Sequence, residues 1–453
     1  MASDATAGGA GGEAPEEPTG LKRSVTKRML LFFILGDILG GGIYALPGDV
    51  GDIVGGGIWA AFMLAFVLAL FTAGAYAELS TKYPRAGGAA SYVNRAYRQP
   101  LLTFLVAFAI MASGISSASA LSIAFGQDYF SVFLALDFRL VAAGLLVLIA
   151  IINFIGISES VKLNVVFTCI EVLGLLIIIV VGLLALNAGV GEPSRVMEFK
   201  GGGGPLVILA GAGLSFYAMI GFEDSVNLAE EVQDPRRSFP PGLFGGMAAA
   251  AFMYLLVTLV APMVVDVTAL AEADNPLLQV VRVAPYSVPQ TLFASIGLFA
   301  LSNGALINMI MASRLLYGMS EESILPRPFG KVHPGRLTPW VSILFTSAIA
   351  FVLVVTGGVE ILASTTVVLL LAAFILVNIA VLVLRKDRVE HHHFKVPTFV
   401  PVVGALTCAA LLTQQSGDAY LRAVILMVIG VVLWVINRVF LERTPSPDAA
   451  PSA

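Results

Sequence analysis

The chain has 453 residues, 58% of them hydrophobic and 12% charged, with net charge −4 and mean hydropathy +0.90. Soluble domains carry about 25% charged residues, so the composition excludes a soluble protein and describes a polytopic membrane protein. Cys169 and Cys408 both fall inside apolar runs, which speaks against a disulfide framework, and no zinc-type Cys/His spacing occurs.

The first twenty residues are rich in Gly, Ala, Glu and Pro and have no apolar core, so 1–27 reads as a disordered tail and not as a signal peptide. Twelve apolar runs follow: 29–50, 56–77, 101–127, 138–157, 163–187, 205–228, 240–264, 289–317, 339–357, 360–384, 397–415 and 420–440. Each is read as a membrane span. Of the 26 Lys and Arg, all but Arg139, Arg195, Lys200, Arg282 and Arg422 lie in the N-terminal tail, the even-numbered connections or the C-terminal tail. By the positive-inside rule this alternation places both termini in the cytoplasm of a plasma-membrane protein.

The first span contains Gly36 to Gly48 (GDILGGGIYALPG), with six glycine or proline residues and one aspartate in thirteen positions. Two readings stand open on spacing alone. Small residues let helices pack closely, and a discontinuous helix exposes backbone amides and carbonyls to a polar cavity. The connection from Ser80 to Pro100, with Tyr83, Tyr92 and Tyr97, reads as an interfacial segment. On span three, Ser113, Ser116 and Ser117 share a face with Gly114 and Ala120, which suits tight packing or cavity lining. Gly201–Gly204 is a flexible joint into span six. That span, Gly211 to Asp224 (GAGLSFYAMIGFED), again combines mid-span glycines with carboxylates. Spans one and six are five apart, so two five-helix blocks have opposite topology. Interrupted helices in matching positions of an inverted repeat point to a transporter binding site at the bilayer midplane. Ser302, Asn303 and Asn308 on span eight offer the same two readings as the span-three serines. His391-His392-His393, between spans ten and eleven, reads as a solvated tract and not as a metal site. Thr444 to Ala453 is polar, and 441–453 forms a second cytoplasmic tail.

Four acids lie deep in spans without a basic residue: Asp37, Glu171, Glu223 and Asp224. An intramembrane acid is a functional candidate by default, and such groups are candidate proton carriers. Glu223 either holds a proton or faces a cationic substrate group, or it caps the new half-helix. Asp224 points about 100° away and reads as structural. Asp37 either pairs by hydrogen bond with polar groups of span five or span seven or joins a proton path, and the sequence does not choose between them.

Four ordered motifs, Gly36–Gly48, YPRAGG at Tyr83–Gly88, FYAMIGFEDSVNLAEEVQDP at Phe216–Pro235 and SRLLYGMSEESILPRPFGKVHP at Ser313–Pro334, resemble the amino acid–polyamine–organocation superfamily. The resemblance covers spans one to ten and implies an all-α, LeuT-like 5+5 inverted repeat with broken helices 1 and 6. The core then runs 28–387, with repeats at about 28–187 and 205–387, and helices 11 and 12 fill 397–440. The resemblance also implies that the substrate carboxylate meets the amides of Gly40, Gly41 and Gly42, next to Ile43. The amino group meets carbonyls near Ile38, Tyr217 and Ile220, in a site bounded by Ala218 and Gly221, with Ser117, Asn303 and Glu223 as cavity candidates. Tyr217 falls where family members place an aromatic that closes over substrate. Sodium-coupled relatives bind an ion between helices one and eight, close to helix five. Some proton-coupled relatives put an ionisable side chain on helix five instead, here Glu171, an acid where lysine is the more familiar choice, which leaves the coupling ion open. With no Walker A motif, HExxH, GxSxG or intramembrane Ser/His pairing, the expected function is secondary active transport of an amino acid, by proton symport or exchange. No metal, cofactor or nucleic acid is expected; the partners are the substrate, the lipid bilayer and a proton. The alternatives are a polyamine or organic-cation transporter and a non-transporting nutrient sensor on the same fold.

Overall fold

The computed structural model describes residues 25–84, 88–155, 160–229, 232–273, 275–285, 289–321, 325, 327–336 and 338–441. The tails expected at 1–27 and 441–453 lie almost wholly outside these residues, as do Arg85–Gly87 of the YPRAGG motif and parts of the Phe216–Pro235 and Ser313–Pro334 motifs.

The described chain is helical, with only isolated bridges of β type. Span one is α1 (Lys27–Leu39) and α2 (Gly42–Ala45), followed by α3 (Pro47–Val54). Then come α4 (Ile58–Lys82), α5 (Gly88–Tyr97), α6 (Pro100–Ala124), α7 (Phe138–Ile155) and α8 (Ser160–Asn187). Span six begins as α9 (Pro205–Ser215), and α10 (Pro235–Val264), α11 (Val267–Ala271) and α12 (Pro276–Val283) follow it. The last helices are α13 (Gln290–Glu321), α14 (Trp340–Thr356), α15 (Val359–Leu384), α16 (Phe399–Leu412) and α17 (Gly417–Leu441).

Among the described residues, ten helices are long and apolar enough to cross a membrane, counting α1–α2 and the whole of span six as one each. Two of the twelve expected spans fall short. Pro339 and Gly357 bound α14 at 17 residues, and α16 has 14. At 1.5 Å per residue these reach about 26 Å and about 21 Å, against a hydrocarbon core of about 30 Å. Both still present large apolar side chains outward, among them Leu344, Val352 and Val355 on α14 and Phe399, Val402 and Leu406 on α16.

Span one crosses α8 and α10 in the centre of the bundle, and α6 packs along α13 and α15. Close approach is written into the glycines. A Cβ on Gly36 would fall 1.9 Å from Thr168 Oγ1 of α8, and one on Gly304 of α13 would fall 2.2 Å from the Gly40 carbonyl. The segment expected to lie along the interface is α5, and it is docked more deeply than that. Tyr92 is buried, Tyr97 donates to the Leu376 carbonyl at 2.9 Å, and Gly88, at φ +46°, abuts the Asn227 side chain of span six.

On the face rich in Lys and Arg, α4 is tied to α15 and to the segment before α16. Arg385 pairs with Glu78 through two bonds of 2.9 and 2.8 Å, and the Val396 amide adds a third to the same carboxylate at 3.0 Å. Lys82 donates to the Leu384 and Asp387 carbonyls, both at 2.7 Å. The hydroxyl of Tyr83 beside Asp387, and then Arg95, hold that carboxyl below the usual carboxylate range. The histidine tract is also less solvated than its composition implies. The His391 ring meets the Lys82 carbonyl at 3.1 Å, while His392 is exposed.

Candidate functional site

Both expected breaks are present, and each turns on a glycine that only glycine accommodates well. In span one, Gly41 has φ +114° between α1 and α2. In span six, α9 gives way to a 3-10 turn at Phe216–Met219, an extended Ile220, Gly221 at φ +120°, and a second 3-10 turn at Asp224–Leu228. Left-handed backbone of this kind is strained for residues with a Cβ. The breaks touch. A Cβ on Gly42 would lie 2.7 Å from the Ala218 Cα, and one on Gly221 would lie 2.9 Å from the carboxyl carbon of Asp37.

Between them is a pocket of about 20 Å³ lined by Asp37, Ile38, Gly40, Gly42, Ser117, Leu121, Tyr217, Ile220, Gly221, Asp224 and Asn308. That holds a water and not an amino acid. Tyr217 occupies the space, with its hydroxyl 3.0 Å from Ser117 Oγ. Ile220, Asp224 and Asn308 also line a cavity of about 840 Å³, whose walls include Asn94, Glu223, Arg314 and Arg336. This cavity opens on the face that carries most of the Lys and Arg. On the opposite side Tyr44, Tyr129 and Phe293 are fully buried in mutual contact, with ring centroids 6.3–6.5 Å apart. The Tyr129 hydroxyl donates to the Tyr44 carbonyl at 3.0 Å, and Tyr44 donates to the Glu171 carbonyl at 2.8 Å. The site is therefore open to one face and sealed from the other.

The structure sorts the candidate residues into layers. Ile38, Gly40, Gly42, Ser117, Tyr217, Ile220 and Gly221 line the small pocket, with Asp37. Gly41, Ile43 and Ala218 sit behind it, building the breaks. The Gly41 amide is already bonded to the Leu39 carbonyl at 2.7 Å, and the Ile38 carbonyl accepts from Tyr254. The amides of Gly42 and Ile43 begin α2, where a helix leaves its first donors without intrahelical acceptors. Glu223 accepts from the Gly221 amide at 2.9 Å and lines the larger cavity, so it caps the break and faces the vestibule. Asn303 lines neither space. It donates to Glu171 Oε1 at 2.9 Å, and Asn164 reaches it at 3.5 Å. Glu171 is fully buried with its other carboxylate oxygen unpartnered, as is Oδ2 of Asp37.

Two lining residues, Leu121 and Asp224, received no such role from the sequence. Leu121 carries no polar signal. Asp224, expected to point away on a continuous helix, lines the pocket because the helix is interrupted just before it, at extended Ile220 and at Gly221 with φ +120°. Asn308, offered by the sequence for packing or cavity lining, lines both spaces. Ser113 and Gly114 line the large cavity, while Ser116 bonds the Leu362 carbonyl at 2.9 Å. Among the described residues no group of His, Cys, Asp and Glu is arranged to hold a metal.

Interrupted helices meeting at the closed end of a one-sided cavity define a membrane transporter. Comparison with known proteins agrees. The profile of the amino acid permease family matches residues 29–441, and the chain belongs to that family, within the amino acid–polyamine–organocation superfamily. The family implies a LeuT-like fold, and its members are transporters, not enzymes. The chain is 25% identical to the branched-chain amino acid permease BcaP of Bacillus subtilis, over 92% of this chain and 93% of that one. It is 26% identical to the methylthioribose transporter of the same organism, over 93% and 95%. It is 26% identical to cationic amino acid transporter 4 of Mus musculus, over 82% of this chain and 61% of the relative.

Proposed function

We propose that the protein is a secondary active transporter that carries an amino acid across the plasma membrane by alternating access, coupled to a proton or to exchange. One observation carries this reading: the two helix breaks meet at the dead end of a cavity open to a single face. The amides of Gly42 and Ile43 would receive the substrate carboxylate. The carbonyls of Tyr217 and Ile220, with the second lone pair of the Ile38 carbonyl, would receive the amino group. Entry requires Tyr217 to leave Ser117. The charge alternation supports twelve spans with both termini cytoplasmic, built as a core over 28–387 with inverted repeats at 28–187 and 205–387, then 397–440. On that topology the conformation is inward-open.

Glu171, Asp37 and Glu223 are the candidate proton carriers. Glu171 is the strongest, because it sits behind span one at α8 with one oxygen unpartnered.

The test is counterflow in proteoliposomes. Preloading with unlabelled substrate should accelerate uptake of the labelled amino acid, screened across neutral and cationic species. No acceleration with any amino acid, in protein that binds one, would instead indicate a non-transporting sensor. Acceleration by polyamines alone would move the substrate class to organic cations.

A further inference from the structure

Beside the break in span six, a chamber of about 10 Å³ adjoins the large cavity, room for a single water-sized occupant. Its polar walls are Tyr76 of α4 and Glu223, Asp224 and Asn227 of span six. The basic side chains of the cavity, Arg314 and Arg336, are not among them.

Tyr76 supplies an independent observation. Its hydroxyl is fully buried and has no hydrogen-bond partner. The ring cannot carry it elsewhere, because Tyr92, Phe222 and Phe374 hold it edge-on at centroid distances of 6.5, 5.8 and 5.7 Å. A buried hydroxyl without a partner is costly, and a phenylalanine would fill the same aromatic box without that cost. The chamber thus presents a fixed oxygen beside two carboxylates. Glu223 accepts one bond from the Gly221 amide and retains further acceptor sites. Asp224 is a wall of the chamber, the large cavity and the small pocket alike. Asp224 therefore sets the chamber beside a substrate seated at the breaks, within reach of its side chain once Tyr217 has moved.

We propose that this chamber takes a compact monovalent cation of ammonium size. The cation is either the terminal ammonium of a substrate side chain or an inorganic ion. Three N–H donors would be met by Asp224, Glu223 and the Tyr76 oxygen, while the Tyr76 hydroxyl proton goes to a carboxylate. A guanidinium, planar and several times larger, does not fit, so the chamber favours lysine over arginine. This inference rests on the amino acid transport reading and deepens it.

The experiment is ligand titration of purified full-length protein by its melting temperature, since a ligand of the native state raises it. Lysine is compared with arginine and with norleucine, which is lysine without its terminal ammonium. Sodium chloride is compared with choline chloride at constant ionic strength. For a substrate ammonium, wild type binds lysine about tenfold or more tighter than norleucine, and Asp224→Asn and Tyr76→Phe each move that ratio toward one. For an inorganic ion, sodium raises the melting temperature where choline does not, and both substitutions remove the difference. Either result supports the chamber. It is overturned if wild type distinguishes neither pair, or if the distinctions survive both substitutions. A sodium response without any amino acid response would sink the amino acid reading and leave the chamber standing.

Discussion

Glu171 and Asn303 show what single residues contribute. Each was singled out from the sequence for a different task, one as a proton carrier on helix five and the other as a cavity wall on helix eight. The fold joins them by a 2.9 Å hydrogen bond. We expect Glu171→Gln to abolish uptake driven by a pH gradient and to spare exchange of internal for external substrate. Proton-driven uptake at the wild-type rate in that variant would remove Glu171 from the coupling path. At this scale the sequence was legible where chemistry is rare. An acid inside an apolar run, or three consecutive glycines, stands out because bilayers penalise both. It was illegible where the deciding fact is a neighbour. Nothing in the sequence shows that the Ile38 carbonyl is taken by Tyr254, or that Asp224, just past the break at Gly221, lines the pocket.

The helices were legible through their apolar runs, and both interruptions through their glycines. Less visible was how elements are locked together, because α4 and α15 meet only in three dimensions, some 300 residues apart. The Glu78–Arg385 pair is the clearest case, with side-chain exposures of 2% and 14%. Removing one partner of such a pair leaves the other charge buried, at a cost of about 3–5 kcal/mol. Glu78→Ala and Arg385→Ala should each lower the melting temperature, and the double substitution should lower it by less than the sum of the two. Strict additivity in that cycle would mean that the pair contributes nothing. Span length was the weaker part of the sequence reading. Runs nine and eleven extend past the ends of their helices, at Pro339 and Gly357 for the one and at Thr398 and Thr413 for the other, because such residues are as compatible with an apolar window as with a helix boundary.

For the whole molecule, the one-sided cavity makes a directional statement. Asn308 lies on both the pocket and the cavity. In a background without the native cysteines, Asn308→Cys should react with a membrane-impermeant thiol reagent from the basic face and not from the other. Equal labelling from both faces would contradict the sealed aromatic layer. The overall direction of opening could not be read from the sequence. An alternating-access carrier folds one chain into several conformations, and hydrophobic patterning is common to them all.

The aromatic layer has an electrical consequence. Filled with solution from the basic face, the cavity of about 840 Å³ would carry the potential of that solution inward to the helix breaks. The membrane voltage then falls across a thin region around Tyr44, Tyr129 and Phe293 instead of the full bilayer. One elementary charge crossing the whole field is worth about 2.3 kcal/mol per 100 mV. A charge that passes this layer would gain or lose most of that amount, and a charge moving within the cavity almost none. We expect voltage to act on the step that opens the aromatic layer, and substrate release into the cavity to proceed at the same rate at any potential. Release that slows or speeds with an imposed potential would show that the field is spread along the cavity.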